Sequence, residues 1–309
     1  MERAAQVLHR IKGPVVPINL CFTPDNEVDY PAVRRYASWL CEQQVPILIL
    51  SYGSSEYVWL SDDDIRRLTT ELAEEIAGRS LFITATGLWT PKVCREFLTY
   101  ADRAGADAVK VQVNPWGVQS DRDKFVGYFD RIQDAADIPL LLWLNSGGTG
   151  AAPVDVVAEL ARRPQIVGMK NDEDQFYYYY DCIRATIDSD FAVISGGQMR
   201  NIAFGYQVGS PAYLCTIAPF RPDIALAFYD LLVKRRFDDA WQMVYRYEDP
   251  WLSKAGELGW LFSIKAALCL HGLYPESCTT PFQSRDPGKV EQVRQCIERV
   301  FGTIEKAEL

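Results

Sequence analysis

Residues 166–172 read Ile-Val-Gly-Met-Lys-Asn-Asp. The run is too short for a typical helix, is apolar at successive positions, and ends in a lysine followed by an acid. Such a run suits a strand buried on both faces of a parallel sheet. The pattern repeats in both directions. Strands are expected at residues 15–20, 45–50, 81–85, 108–113 and 138–144 before it, and at 191–195 and 212–215 after it. Amphipathic stretches separate them. Residues 30–43 put Val33, Tyr36, Ala37 and Leu40 on one helical face. Ser61 caps a helix whose first turn carries Asp62, Asp63 and Asp64, acids placed to oppose the helix dipole. Thr90-Pro91 opens another helix through residue 104, and a further helix is expected over 121–135. Eight strands with helices between them predict an α/β fold, a closed (β/α)8 TIM barrel, because an open sheet usually stops nearer six strands.

Beyond residue 220 the pattern is helical, over 222–235, 237–247, 259–270 and 289–304. The expected organisation is a barrel over residues 1–220, with C-terminal helices over 221–309 completing and extending the same structural unit. The aromatic run at 177–180, with Phe176 and Ile183, predicts a packed helix face.

Composition narrows the function. The chain has 309 residues, 48% hydrophobic and 24% charged, the balance of a globular protein with a full core. A net charge of −9 disfavours a nucleic-acid partner, since a polyanion would be repelled. The eight cysteines show no CxxC spacing and read as buried thiols of a cytoplasmic protein. With His9 and His271 the only histidines, neither a His-based metal site nor a Ser-His-Asp triad is expected. No metal or other cofactor is implied. The first 13 residues are charged and lack the apolar core of a signal peptide, and no run reaches membrane-spanning length, so no membrane association is expected.

In a (β/α)8 barrel the reactive groups project from the C-terminal ends of the strands. Lys170 ends strand six and would point into the barrel mouth, where a neutral amine can attack a ketone. Asp172 follows it, with Glu173 and Asp174, and these acids could instead hold the lysine as an ion pair. After strand two comes Ser-Tyr-Gly-Ser-Ser-Glu-Tyr, residues 51–57. There Gly53 allows a tight turn, and the Ser54 and Ser55 hydroxyls with loop N–H groups would suit a carboxylate. After strand seven, Gly196 and Gly197 follow Ser195, where barrel loops let a substrate approach the backbone.

Taken together these segments resemble the dihydrodipicolinate synthase / N-acetylneuraminate lyase family of Schiff-base aldolases, over about residues 11–300. SYGSSEYVWLS (51–61) looks like the family's GTTGExxxLS segment, which binds the oxo-acid carboxylate. IVGMKND looks like the strand whose lysine forms the imine. GADAVKV (105–111), VISGG (193–197) and KAALCLHGL (265–273) look like its fourth strand, seventh-strand loop and tail helix. The resemblance implies Lys170 as the imine-forming residue and Ser54 and Ser55 as carboxylate ligands. It also implies a small oxo-acid partner, a homo-oligomer (dimer or tetramer), and a Glu56 that holds its loop by hydrogen bonds.

The chain departs from this pattern in strand five. The family ends that strand in a tyrosine-asparagine pair before Thr-Gly, the tyrosine relaying protons. Here the segment is LLLWLNSGGTG (140–150). Aligned on Thr149-Gly150 the tyrosine position is Trp143; aligned on Asn145 it is Leu144. An indole N–H only donates and leucine has no polar group. Gly147-Gly148 stands where dihydrodipicolinate synthases carry an arginine, and NPWG (114–117) replaces a PPYY-like segment, which argues against the lysine-biosynthesis reaction. The expectation is an aldolase or dehydratase acting on a sugar-derived 2-oxo-acid through Lys170, with Trp143 and Asn145 beside the substrate. Asp172, Tyr52, Glu56 or water would move protons, Asp172 first among them. The alternative is a catalytically altered paralogue that binds an oxo-acid or has a structural or regulatory role.

Overall fold

The computed structural model describes residues 2–114, 118, 121–144, 152–172, 175–283 and 285–307. Eight parallel strands close into a barrel in chain order: β1 (Gly13–Pro17), β2 (Ile47–Ile49), β3 (Leu81–Ala85), β4 (Ala108–Val111), β5 (Leu140–Leu144), β6 (Ile166–Asn171), β7 (Ala192–Ser195) and β8 (Ala212–Leu214). Closure comes from β8 pairing with β1, Gly13 opposite Ala212 and Val15 opposite Leu214. The expected (β/α)8 barrel is the fold found.

Strand residues divide between two cores according to the alternation of side chains. Val15, Ile49, Ile83, Leu141 and Ile194 fill the barrel interior. Val16, Leu48, Val109, Leu142 and Val193 face outward against the helices. On β4, Ala108 is in the inner core and Val109 and Val111 are in the outer one, so Lys110 points inward. The register of β6 shifts against β5 at Leu140/Leu141, after which Trp143 lies opposite Lys170.

The first helix, α1 (Glu2–Arg10), places Val7 in the inner core together with Ile11, and its flanks are held by Arg3–Asp102 and Arg10–Asp107 pairs. It therefore covers the N-terminal end of the barrel. Helices α2 (Tyr30–Glu42), α3 (Asp62–Ile76), α4 (Pro91–Ala104), α5 (Arg122–Asp130), α6 (Val154–Leu160), α7 (Phe176–Thr186) and α8 (Met199–Val208) follow the successive strands. Ser61 forms a reciprocal capping box with Asp64 at the start of α3, as its spacing predicts. After β8 come α9 (Pro222–Val233), α10 (Phe237–Met243), a π-helical turn (Val244–Glu248), α11 (Asp249–Leu258), α12 (Trp260–Leu270) and α13 (Pro287–Phe301). No helix among the described residues is long and apolar enough to cross a membrane.

Two expectations change. Helix α5 ends at Asp130, and residues 131–134 continue as turns before a bend at Ala135. The aromatic run of α7 is only partly packed: Tyr179, Cys182 and Ile183 are buried, whereas Phe176 and Tyr177 are exposed at 46% and 80%. A helix against a sheet buries one stripe, and four consecutive tyrosines must span more than that stripe.

Candidate active site

The C-terminal mouth of the barrel holds a cavity of about 250 Å³. Ser51, Tyr52, Gly53, Ser54, Trp143, Lys170, Asp172, Gly196 and Gly197 line it, with Thr216 from beyond β8 and Trp260 and Ile264 from α12. Most of the candidates read from the sequence therefore converge. Asn145 lies outside the described residues, as do Trp116, Glu173, Asp174, Gly147-Gly148 and Thr149-Gly150.

Lys170 is buried at the last inward position of β6, and its Nζ is paired with Asp172 Oδ2. The same oxygen accepts a hydrogen bond from Trp143 Nε1 at 2.6 Å. Asp172 thus turns toward the cavity and joins the lysine to the indole across the β5–β6 pair. Trp143 stacks on Tyr52, ring centroids 5.9 Å apart, so its plane walls the cavity beside the amine. Trp143 is the strand-five residue that faces Lys170; nothing is described of the Leu144 side chain.

Gly196 allows this close approach. A Cβ there would collide with Asn171 O and Asp172 Oδ1. Gly197 adopts φ of +144°, a conformation side-chain-bearing residues rarely take.

The turn after β2 is built by its own side chains. Ser55 Oγ donates to Ile18 O at 2.6 Å and accepts from Ser51 N at 3.0 Å. The Ser55 hydroxyl therefore ties β1 to the turn and faces the backbone, and Ser55 is absent from the cavity lining. Ser54, which lines the cavity, is held through its carbonyl by Asn19 Nδ2 at 3.2 Å. The turn's backbone bonds run from Ser55 N, Glu56 N and Tyr57 N, so they use neither the Gly53 nor the Ser54 N–H.

Glu56 caps the turn in the left-handed conformation, φ 51°, and pairs with Lys265 of α12 at 2.5 Å. Lys265 also donates to Thr279 O at 2.9 Å. Burial pushes the Glu56 carboxyl above its usual range, and the Lys265 ammonium opposes that shift. Glu56 thus holds its loop, as the resemblance implied, by an ion pair that docks the tail helix over the mouth.

Three polar groups had no place in the sequence reading. Thr216 follows β8, and its buried Oγ1 has no hydrogen-bond partner among the described residues. Ser51 ends in the cavity wall, and Lys110 lies beneath it, with Nζ 3.3 Å from Ser51 Oγ and 5.4 Å from the Trp143 ring centroid. Burial pushes Lys110 well below its usual range, the Lys170 charge pushes it further, and Asp172 opposes them. The signal for Lys110 was available, as a lysine between two valines in a strand whose neighbours alternate inward and outward. All eight cysteines are buried. Among the described residues no group of three or more His, Cys, Asp or Glu is placed to hold a metal ion.

Comparison with known proteins follows the same outline. Residues 10–300 match the model of the Dihydrodipicolinate synthetase family. The 4-hydroxy-tetrahydrodipicolinate synthase of Methanothermobacter thermautotrophicus is 29% identical over 217 residues, covering 69% of this chain and 76% of that protein. A probable 5-dehydro-4-deoxyglucarate dehydratase of Streptomyces coelicolor is 26% identical over 299 residues, covering 93% of this chain and 92% of that protein. Among solved structures, YagE of E. coli K12 in complex with pyruvate superposes with a TM-score of 0.84 at 20% identity, covering 94% of this chain and 98% of that one.

Proposed function

The chain belongs to the dihydrodipicolinate synthetase family, and from that premise we propose that it is a lyase acting on a sugar-derived 2-oxo-acid through an imine on Lys170. The observation that carries this reading is the placement of the amine. Of the two lysines inside the barrel, Lys170 lines the cavity, whereas Lys110 is completely buried behind it.

The oxo-acid carboxylate sits at the turn after β2, received by the Ser54 hydroxyl and the N–H groups of Gly53 and Ser54. Ser55 contributes by holding that turn. Asp172 accepts the Lys170 ammonium proton, leaving a neutral amine to attack the ketone carbon. The carbinolamine then loses water, and Asp172 returns the proton to the departing oxygen. The Trp143 N–H keeps the carboxylate beside Lys170 through these transfers. The iminium draws electrons from the neighbouring bonds, which permits cleavage between C3 and C4 or loss of a C4 hydroxyl. Thr216 and Tyr52 supply hydroxyls in the cavity wall for the polar carbons of a sugar-derived substrate. The extent of similarity to a deoxyglucarate dehydratase supports that class.

Incubation with pyruvate and a panel of longer 2-oxo-acids, followed by borohydride reduction and intact-mass measurement, tests the reading. A stable adduct absent from Lys170→Ala is expected. Absence of an adduct with every acid contradicts it.

One observation favours a second reading, an oxo-acid-binding barrel without turnover. Trp143, the strand-five residue facing Lys170, donates a hydrogen bond but is neither an acid nor a base in neutral solution. Loss of a general acid or base commonly slows a reaction about 10²–10⁴-fold. That reading predicts an adduct with pyruvate but no product from any sugar acid.

A further inference from the structure

Lys110 is the titratable group behind this cavity that the imine chemistry leaves unused. It is completely buried on the inward face of β4. Among the described residues no carboxylate lies within ion-pair distance of its Nζ, and Asp172 is already engaged by Lys170 and Trp143. Among the described residues its direct partners are the Ser51 hydroxyl at 3.3 Å and the face of Trp143, with the ring centroid at 5.4 Å. Burying an unpaired ammonium is expensive, whereas leucine or methionine would fill the position without that penalty. A buried titratable group beside a cavity, held against such a cost, is a candidate for chemistry. Its burial and the neighbouring Lys170 charge favour the neutral amine, which can accept a proton.

We propose that Ser51 and Lys110 form the proton carrier of this site, Ser51 Oγ meeting the substrate carbon and Lys110 Nζ holding the proton behind it. The proposal rests on the imine reading above. From the iminium, the C3–H bond breaks and its proton passes to Ser51 Oγ as the serine's own proton passes to Lys110. The C–H electron pair becomes the C2–C3 double bond, and the C2–N π pair returns to nitrogen, giving the enamine. One positive charge leaves the iminium and one appears on Lys110, so the cavity's net charge is unchanged. Reversal protonates the enamine after carbon–carbon cleavage. Among the described residues the charged or polar groups facing Lys110 are Ser51 after β2, Trp143 of β5, Lys170 of β6 and Asp172 just beyond β6. Lys110 acts through Ser51, which alone of the pair lines the cavity.

The experiment uses the full-length protein with pyruvate and two readouts: the borohydride adduct, and deuterium uptake into the pyruvate methyl group in heavy water followed by NMR. Lys110→Met, Ser51→Ala and Tyr52→Phe are compared with wild type. Lys110→Met and Ser51→Ala are expected to form the adduct while exchange falls about 10²–10⁴-fold. A purely structural role for Lys110 would lower both readouts together, and Ser51→Ala removes a single oxygen if Lys110→Met folds poorly. Wild-type exchange in both variants, loss confined to Tyr52→Phe, or a wild-type protein that traps without exchanging would each overturn the dyad. No adduct in wild type overturns the imine reading itself, a separate failure.

Discussion

Asp172 Oδ2 receives two donors at once, the Lys170 ammonium and the Trp143 indole. Hydrogen bonds to a charged group contribute about 1.5–3 kcal/mol. Trp143→Phe should therefore slow adduct formation about 10- to 100-fold while leaving it detectable. Asp172→Asn should slow it about 10²–10⁴-fold, because the amine loses its proton acceptor. Both are read from the time course of borohydride trapping, and equal rates in the three proteins would remove Asp172 from the mechanism. Lys170 was legible from sequence because a strand-ending lysine has one place to go in a barrel. The direction of Asp172 was not, since the residue lies beyond the strand, where alternation no longer binds; the glycine at 196 decides it by making room. Lys110 was passed over because it sits inside a run otherwise read as apolar. Ser55 shows the converse: its type suits a carboxylate, yet its hydroxyl is drawn to two backbone groups that only the folded turn brings near.

At the scale of elements, two buried carboxylates join parts of the chain far apart in sequence. Glu56 and Lys265 tie the turn after β2 to α12 across 209 positions. Removing one partner of such a pair typically costs about 3–5 kcal/mol, whereas replacing both with neutral groups costs far less. Lys265→Met alone should lower the urea midpoint strongly, and Glu56→Gln combined with Lys265→Met should recover most of the loss. Additive losses would contradict a buried pair. Glu248, in the π-helical turn, accepts from Met199 N and from Arg200 N, the latter at 3.0 Å, at the start of α8. Burial pushes its carboxyl up to about 7, the backbone donors only partly opposing it. The folded state then holds a proton that the unfolded chain releases, so stability falls as pH rises from the ordinary glutamate range to about 7. The change is on the order of 3 kcal/mol. Urea unfolding at pH 5 and pH 7.5 should show this fall in wild type and a flatter response in Glu248→Gln. Such long-range partners leave no local pattern. The same is true of α1, whose charged sequence does not show that Val7 packs against the barrel floor.

For the whole molecule, the alternation of eight short apolar runs with amphipathic helices was sufficient to specify the barrel, because closure is the arrangement that buries both faces of every strand. The polar floor of the cavity was less legible, since it is assembled from the ends of β2, β4, β5 and β6, each contributing only one or two residues. With α1 covering one end and α12 docked over the other, the described cavity has Lys170 and Asp172 at the C-terminal mouth. The net charge of −9 lies on the molecule as a whole, while the cavity wall carries Lys170 beside Asp172, with Lys110 buried behind it. In the proposed mechanism Lys170, and not Lys110, bonds to substrate. Reducing the protein with borohydride in the presence of pyruvate and locating the added mass by peptide mapping tests it directly. The adduct is expected on Lys170; an adduct on Lys110 or on any other lysine, or none at all, would overturn the imine assignment.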